Sequence, residues 1–144
     1  MIKVKQIEMS GALYQQERDL RNRILLRPIG LPDFGWEMRD KDCHHIVAID
    51  DNKVIGCVIL YPLPDNLGQA QLMQMAVESS YQRKGVGQQM LQLLFKVAIA
   101  NNISEIQCHA QHTALIFYEK MGFQIEGDGF IEAGIKHFHM RYRL

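Results

Sequence analysis

One stretch near the middle of the chain restricts what the rest can become. Tyr81-Gln82-Arg83-Lys84-Gly85-Val86-Gly87-Gln88-Gln89 joins two segments of different period. Before it, Gln71-Leu72-Met73-Gln74-Met75-Ala76-Val77 reads as a strand. After it, Val86, Met90, Leu93, Leu94 and Val97 recur at helical spacing and form one apolar stripe. A basic, glycine-bearing loop between a strand and a helix is an anion site. The first amides of the helix lack intrahelical partners, and the helix dipole places partial positive charge on them. Gly85 and Gly87 carry no Cβ, which lets a phosphate approach the backbone, and Arg83 and Lys84 add charge at the mouth.

The spacing excludes two common phosphate binders. A dinucleotide site wants G-x-G-x-x-G after the strand, with an acid about 20 residues on; here Met90 holds the third position and Glu105 fits the acid only loosely. The G-x-x-x-x-G-K-[ST] loop of nucleotide triphosphatases is absent. Gln82-Arg83-Lys84-Gly85-Val86-Gly87 instead resembles the Q/R-x-x-G-x-G/A signature of the GNAT superfamily of acyl-CoA-dependent N-acetyltransferases. Downstream, Ala114-Leu115-Ile116-Phe117-Tyr118-Glu119-Lys120-Met121-Gly122-Phe123 resembles the family's A-x-x-x-Y-x-x-x-G-F segment.

The resemblance implies an acetyl-CoA-dependent N-acetyltransferase that passes the acetyl group to a primary amine by direct attack. It implies that Gln82, Arg83, Lys84, Gly85, Val86, Gly87 and Gln88 cradle a pyrophosphate, largely through backbone. Met75, Ala76 and Val77 would bond the pantetheine arm as an added strand. Ala114 and Phe117 belong to the second segment and are expected at the coenzyme. Gln111 stands where the family often has Asn, with the same amide groups on a longer side chain. Tyr118 is the expected proton donor to the departing thiolate. Glu78, just after the strand, is the expected general base for the amine, with His45 and His109 as other strand-borne candidates. Glu132, Gly134, Ile135, His137 and Met140 match an E-x-G-I-x-H-x-x-M segment of some subfamilies, which makes His137 an acceptor-site candidate. The alternative is a non-catalytic acyl-CoA-binding sensor on the same fold.

Composition agrees with a ligand of this size. The chain has 144 residues, 47% of them hydrophobic, enough for one domain over 1–144 with a sizeable core. Sixteen basic and sixteen acidic residues cancel, which argues against nucleic-acid or membrane-surface binding. Cys43, Cys57 and Cys108 are odd in number and lack a C-x-x-C, so they read as reduced, mostly buried thiols in a cytoplasmic protein. No apolar run is long enough to span a membrane. Six histidines raise the question of a metal, but neither His137-x-His139 nor His109-x-x-His112 gains the partners of a tetrahedral site, so none is expected. The acceptor is left open as a small-molecule or peptide amine, and a homodimer is allowed.

The remaining elements follow from local signals. A first strand near Ile2–Ile7 precedes a helix capped by Ser10 and ended by Arg27-Pro28, with Gln15 to Asp19 mostly exposed and most of its arginines on a solvated face. Ile29 to Asp42 reads as a loop in which Phe34 and Trp36 anchor to the core. His44–Ile49 and Lys53–Tyr61 form a hairpin around Asp50-Asp51-Asn52, followed by the strand Gln69–Val77. The main helix stops near Asn101-Asn102, and a strand over Ile106–Ala110 returns parallel to Gln69–Val77. Thr113 caps a helix over Ala114–Met121, and two last strands turn around Gly127-Asp128-Gly129. The expected fold is α/β: a mixed, largely antiparallel sheet with a central parallel splayed pair and helices on both faces.

Overall fold

The computed structural model describes residues 1–144. Its strands are β1 (Lys3–Ile7), β2 (His44–Asp50), β3 (Lys53–Pro62), β4 (Gln69–Val77), β5 (Glu105–Gln111), β6 (Gln124–Glu132) and β7 (Ile135–Arg143). They form one seven-stranded sheet in the order β1-β2-β3-β4-β5-β7-β6. The helices are α1 (Ala12–Arg21), α2 (Val86–Ala100) and α3 (Leu115–Lys120). Only β4 and β5 run parallel, as the intervening helix requires. The expected fold class is the observed one.

The two faces of the sheet are built differently. Val86, Met90, Leu91, Leu94, Val97 and Ala98 of α2 join Ile46, Val58, Leu60 and Leu72 of the sheet, together with Tyr118 and Phe123, in a core of 20 buried residues. On the other face Leu20 of α1 packs against Val47, Val54, Cys57 and Ala76, a core of only five. What the second face lacks in apolar area is filled by charge. Glu17, Arg21, Asp40 and His45 are all at most 2% exposed.

That cluster corrects the reading of α1. Glu17 and Arg21 are not solvated. Arg21 donates to Glu17 at 2.9 Å, to both oxygens of Asp40 at 2.8 and 3.0 Å, and to the Trp36 carbonyl at 3.2 Å. Tyr14 donates to Asp40 at 2.7 Å. His45 Nδ1 donates to Glu17 at 2.9 Å and Nε2 to the Asp40 carbonyl at 2.8 Å. With an acceptor on each ring nitrogen, both carry hydrogen, and the ring is cationic. Burial opposes that charge, yet the Glu17 and Asp40 partners outweigh it and raise the His45 pKa above its usual value. Two anions and two cations thus close a neutral, fully bonded set.

Other boundaries shift for local reasons. The N-cap of α1 is Gly11 rather than Ser10, and no side chain caps it. The regular helix stops at Arg21, and a π-helical turn over Asn22–Leu26 and a 3-10 turn over Arg27–Ile29 complete it. Buried Asn22 accepts from the Phe34 amide at 2.7 Å, tying this turn to the following loop. α3 begins at Leu115 with Ala114 at its cap, because His112–Ala114 form a 3-10 turn that takes Thr113 out of the capping position. Gly127-Asp128-Gly129 is not the last turn. It lies inside β6, in an irregularity between Glu126 and Phe130, while the chain reverses at Ala133 and Gly134.

Candidate active site

The site begins where β4 and β5 part. The two strands pair only from Gln69–Glu105 to Leu72–Cys108. Beyond Leu72 the β5-facing backbone of β4 has no strand partner. A bulge explains the divergence: Met73 opposes Ile59 and Ala76 opposes Cys57, so β4 carries one residue more than β3 between these pairs. Gln74 absorbs it with φ of 52°. Such a bulge bends the strand and increases its twist. Glutamine carries no preference for that conformation, so the bulge leaves no sequence signal.

The resulting cleft encloses about 920 Å³. Met75, Ala76, Val77, Gln82, Gln111, Ala114 and Tyr118 line it, all expected from the sequence. Gln82 also donates to the Val77 carbonyl at 3.1 Å, which fastens the loop to the end of β4. Arg83, Lys84, Gly85, Val86, Gly87 and Gln88 sit just beyond, around the start of α2. No side chain caps that helix, so its first amides are left to another partner. Gly85 is the N-cap with φ of 79°, and its reach is open; it serves backbone conformation as well as approach. Gly87 has a different reason. A Cβ there would lie 2.8 Å from Met75 Cε and 3.1 Å from Phe117 Cζ, so this glycine lets α2 pack against the cleft wall. Phe117 meets Tyr118 edge to face at 5.1 Å. The Val86 side chain is buried in the main core, which leaves its backbone alone to face a ligand.

Tyr118 is 7% exposed, and its hydroxyl lies 3.5 Å from Met75 Sδ. Burial raises its pKa well above that of a free phenol. A phenol in this setting keeps its proton and is available as a hydrogen-bond donor. The three thiols behave as the sequence suggests: Cys57 and Cys108 are buried, Cys43 is half-buried, and all are free. Burial pushes Cys43 and Cys108 up to about 12.

Of the base candidates, Glu78 lies outside the cleft lining, with both carboxylate oxygens on Arg23 at 2.9 and 3.2 Å. His45 is locked in the buried ionic set and has no free nitrogen. Glu17, Asp40 and His45 would also bring three donor atoms within 4.8 Å of one another, but Arg21 already occupies that position, which is the wrong chemistry for a cation site. His109 does line the cleft. Its Nδ1 donates to Glu132 at 3.1 Å, which directs the lone pair of the neutral ring to Nε2. His137, 6% exposed, donates from Nδ1 to the Ile135 carbonyl at 2.8 Å and presents Nε2 at 3.7 Å from the other Glu132 oxygen.

The loop before β2 contributes residues that the sequence reading placed in the core or passed over. Trp36 lines the cleft at 37% exposed, and the anchor is its carbonyl, which accepts from Arg21 and Gln74, rather than its ring. Met38 and Arg39 follow it along the wall. Gln74, reached only through the bulge, donates to Trp36 and leaves Oε1 buried without a partner.

A profile of the Acetyltransferase (GNAT) family matches residues 11–123. The chain belongs to the GNAT acetyltransferase family. It is 30% identical over 102 residues to the uncharacterised N-acetyltransferase YjcF of Bacillus subtilis, covering 70% of this chain and 71% of that one. Another relative from the same organism is matched over 65% of its length. Among solved structures, an acyl-CoA N-acyltransferase from Pseudomonas aeruginosa superposes with a TM-score of 0.84 at 19% identity, over 99% of both chains. An aminoglycoside 6'-N-acetyltransferase complexed with coenzyme A superposes with a TM-score of 0.82 at 18% identity, over 98% of this chain and 96% of that one. These two likenesses establish the fold of the GNAT chain. No helix in it is long and apolar enough to cross a membrane.

Proposed function

We propose that this GNAT protein is a cytoplasmic N-acetyltransferase, a single catalytic domain over 1–144 that moves the acetyl group of acetyl-CoA to a primary amine. The observation that carries the reading is the cleft between β4 and β5, which opens beside an uncapped helix N-terminus and contains one buried phenol. The backbone from Gln82 to Gln88 holds the pyrophosphate. Met75, Ala76 and Val77 hold the pantetheine amides as an added strand, and Gln111, Ala114 and Phe117 flank the arm.

The amine nitrogen attacks the thioester carbonyl, a C–N bond forms, and the C–S bond breaks. Tyr118 donates its hydrogen to the departing thiolate. Its raised pKa favours hydrogen-bonding the developing charge over early proton loss. The amine must shed a proton. Glu78, acting through water, would first have to leave Arg23. The His109–Glu132 pair inside the cleft needs no such rearrangement and is the base we favour: Nε2 takes the proton while Glu132 holds Nδ1. His137 completes the acceptor wall.

Calorimetric titration with coenzyme A, followed by thiol release from acetyl-CoA across a panel of amines, tests the reading. Binding with amine-dependent thiol release is expected. Binding without release against any amine would indicate the acyl-CoA sensor instead, and absence of binding would remove both.

A further inference from the structure

The arginines of this chain are nearly all spoken for. Arg18 pairs with Glu37, Arg21 with Glu17 and Asp40, Arg23 with Glu78 and Arg27 with Asp33, while Arg141 and Arg143 share Glu105. Two have no carboxylate partner. Arg83 lies in the loop assigned to the pyrophosphate. The other, Arg39, lines the cleft, where it is the sole arginine or lysine.

The Arg39 side chain is exposed, and the backbone beside it is held in place. The next residue, Asp40, is 1% exposed, with its carboxylate held by Arg21 and Tyr14 and its carbonyl by His45. Its guanidinium carbon lies over the Tyr61 ring at 4.9 Å from the centroid, a cation–π contact that consumes none of its N–H donors. The acidic group of the same cleft is Glu132, bonded to His109. One cleft therefore offers an unpaired guanidinium and, separately, a carboxylate with its imidazole.

We propose that the acceptor is an amino carboxylate: Arg39 holds its carboxylate, and its amine is turned toward His109 and Glu132. The inference rests on the acetyl-transfer reading and names the substrate class of that site. A guanidinium edge matches a carboxylate with two parallel hydrogen bonds. A phosphate monoester carries close to two negative charges, and this cleft sets one permanent cation against Glu132, so a monoanion fits better.

The test measures thiol release from acetyl-CoA with free α-amino acids, β-alanine and γ-aminobutyrate, each against its carboxamide, with phosphoethanolamine as a further probe. At least one carboxylate is expected to exceed its carboxamide in kcat/KM by roughly tenfold or more, since hydrogen bonds to charged groups are worth about 1.5–3 kcal/mol. Arg39→Gln should raise KM for the carboxylate and level the pair, while Arg39→Lys keeps part of the preference. Coenzyme A titration and melting temperature establish that each variant is folded. Carboxamides accepted as well as carboxylates, a preference for phosphoethanolamine, or a preference that survives Arg39→Gln overturns the inference and leaves the acetyltransferase standing. So does a protein that binds acetyl-CoA and acetylates none of the carboxylates. Failure of the native protein to bind coenzyme A overturns the acetyl-transfer reading, and this inference with it.

Discussion

The two faces of the sheet solve the same packing problem by opposite means. Beneath α2 and α3, a continuous apolar core carries the load, and the proposed coenzyme contacts on that side are mostly backbone: the β4 edge and the first amides of α2. Beneath α1, five apolar residues are supplemented by a buried set of four charges, and the proposed acceptor contacts on that side are side chains. The contrast suggests a division of labour. A co-substrate shared by the whole family needs a backbone cradle that tolerates sequence change. A particular acceptor needs specific side chains, held in place by something more directional than apolar contact. The ionic set does this, since Arg21 and Asp40 fix both ends of the segment that carries Trp36 and Arg39.

Four experiments can break or sharpen that contrast, and the largest effect falls on the charged face. Arg21→Leu leaves Glu17 and Asp40 buried without their main counter-charge. Breaking a buried pair this way costs about 3–5 kcal/mol, so urea denaturation should show a large loss of stability. A loss under ~1 kcal/mol would mean that the set is dispensable and the two faces differ less than their composition implies.

On the apolar face, Tyr118→Phe removes one hydroxyl whose only partner is Met75 Sδ. Stability should hardly change, whereas turnover should fall by on the order of 10²-fold with coenzyme A affinity intact. Unchanged turnover would take Tyr118 out of the chemistry.

Gly85→Ala should cost about 1–2 kcal/mol, because a Cβ strains the left-handed conformation at the start of α2. The same change should weaken coenzyme A binding more than binding of the acceptor. Equal weakening of both would contradict a cradle confined to one side.

The smallest effect is electrostatic and leaves every atom in place. The folded-state pKa of His45 is raised, so its stabilising contribution is complete below the unfolded value of about 6.5 and is lost as pH rises through the higher folded value. Melting temperature should therefore drift down across that alkaline window in the native protein, and His45→Gln should flatten this part of the profile. A native profile identical to that of the variant would show that His45 is not the titrating group.

The sequence carried most of the apolar face. The stripe Val86-Met90-Leu94-Val97, the alternation of β5 and the loop glycines each follow from a short-range rule, and each appears where the rule puts it. The family motifs then supplied the roles proposed for Tyr118 and for the loop from Gln82 to Gln88. The charged face was opaque because Glu17, Arg21 and Asp40 are residue types that ordinarily face solvent, and their burial depends on partners far along the chain, Asp40 for Arg21 at 19 residues and His45 for Glu17 at 28. The Gln74 bulge was equally silent, because a strand's extra residue is set by its neighbour's register rather than by its own propensity. Local periodicity and backbone stereochemistry determined where most of the strands and helices and the glycine-bearing loop would lie. Only the tertiary structure could decide which charges were neutralised in the interior and which one, Arg39, was left facing the cleft, since pairing between distant residues is a property of the assembled fold.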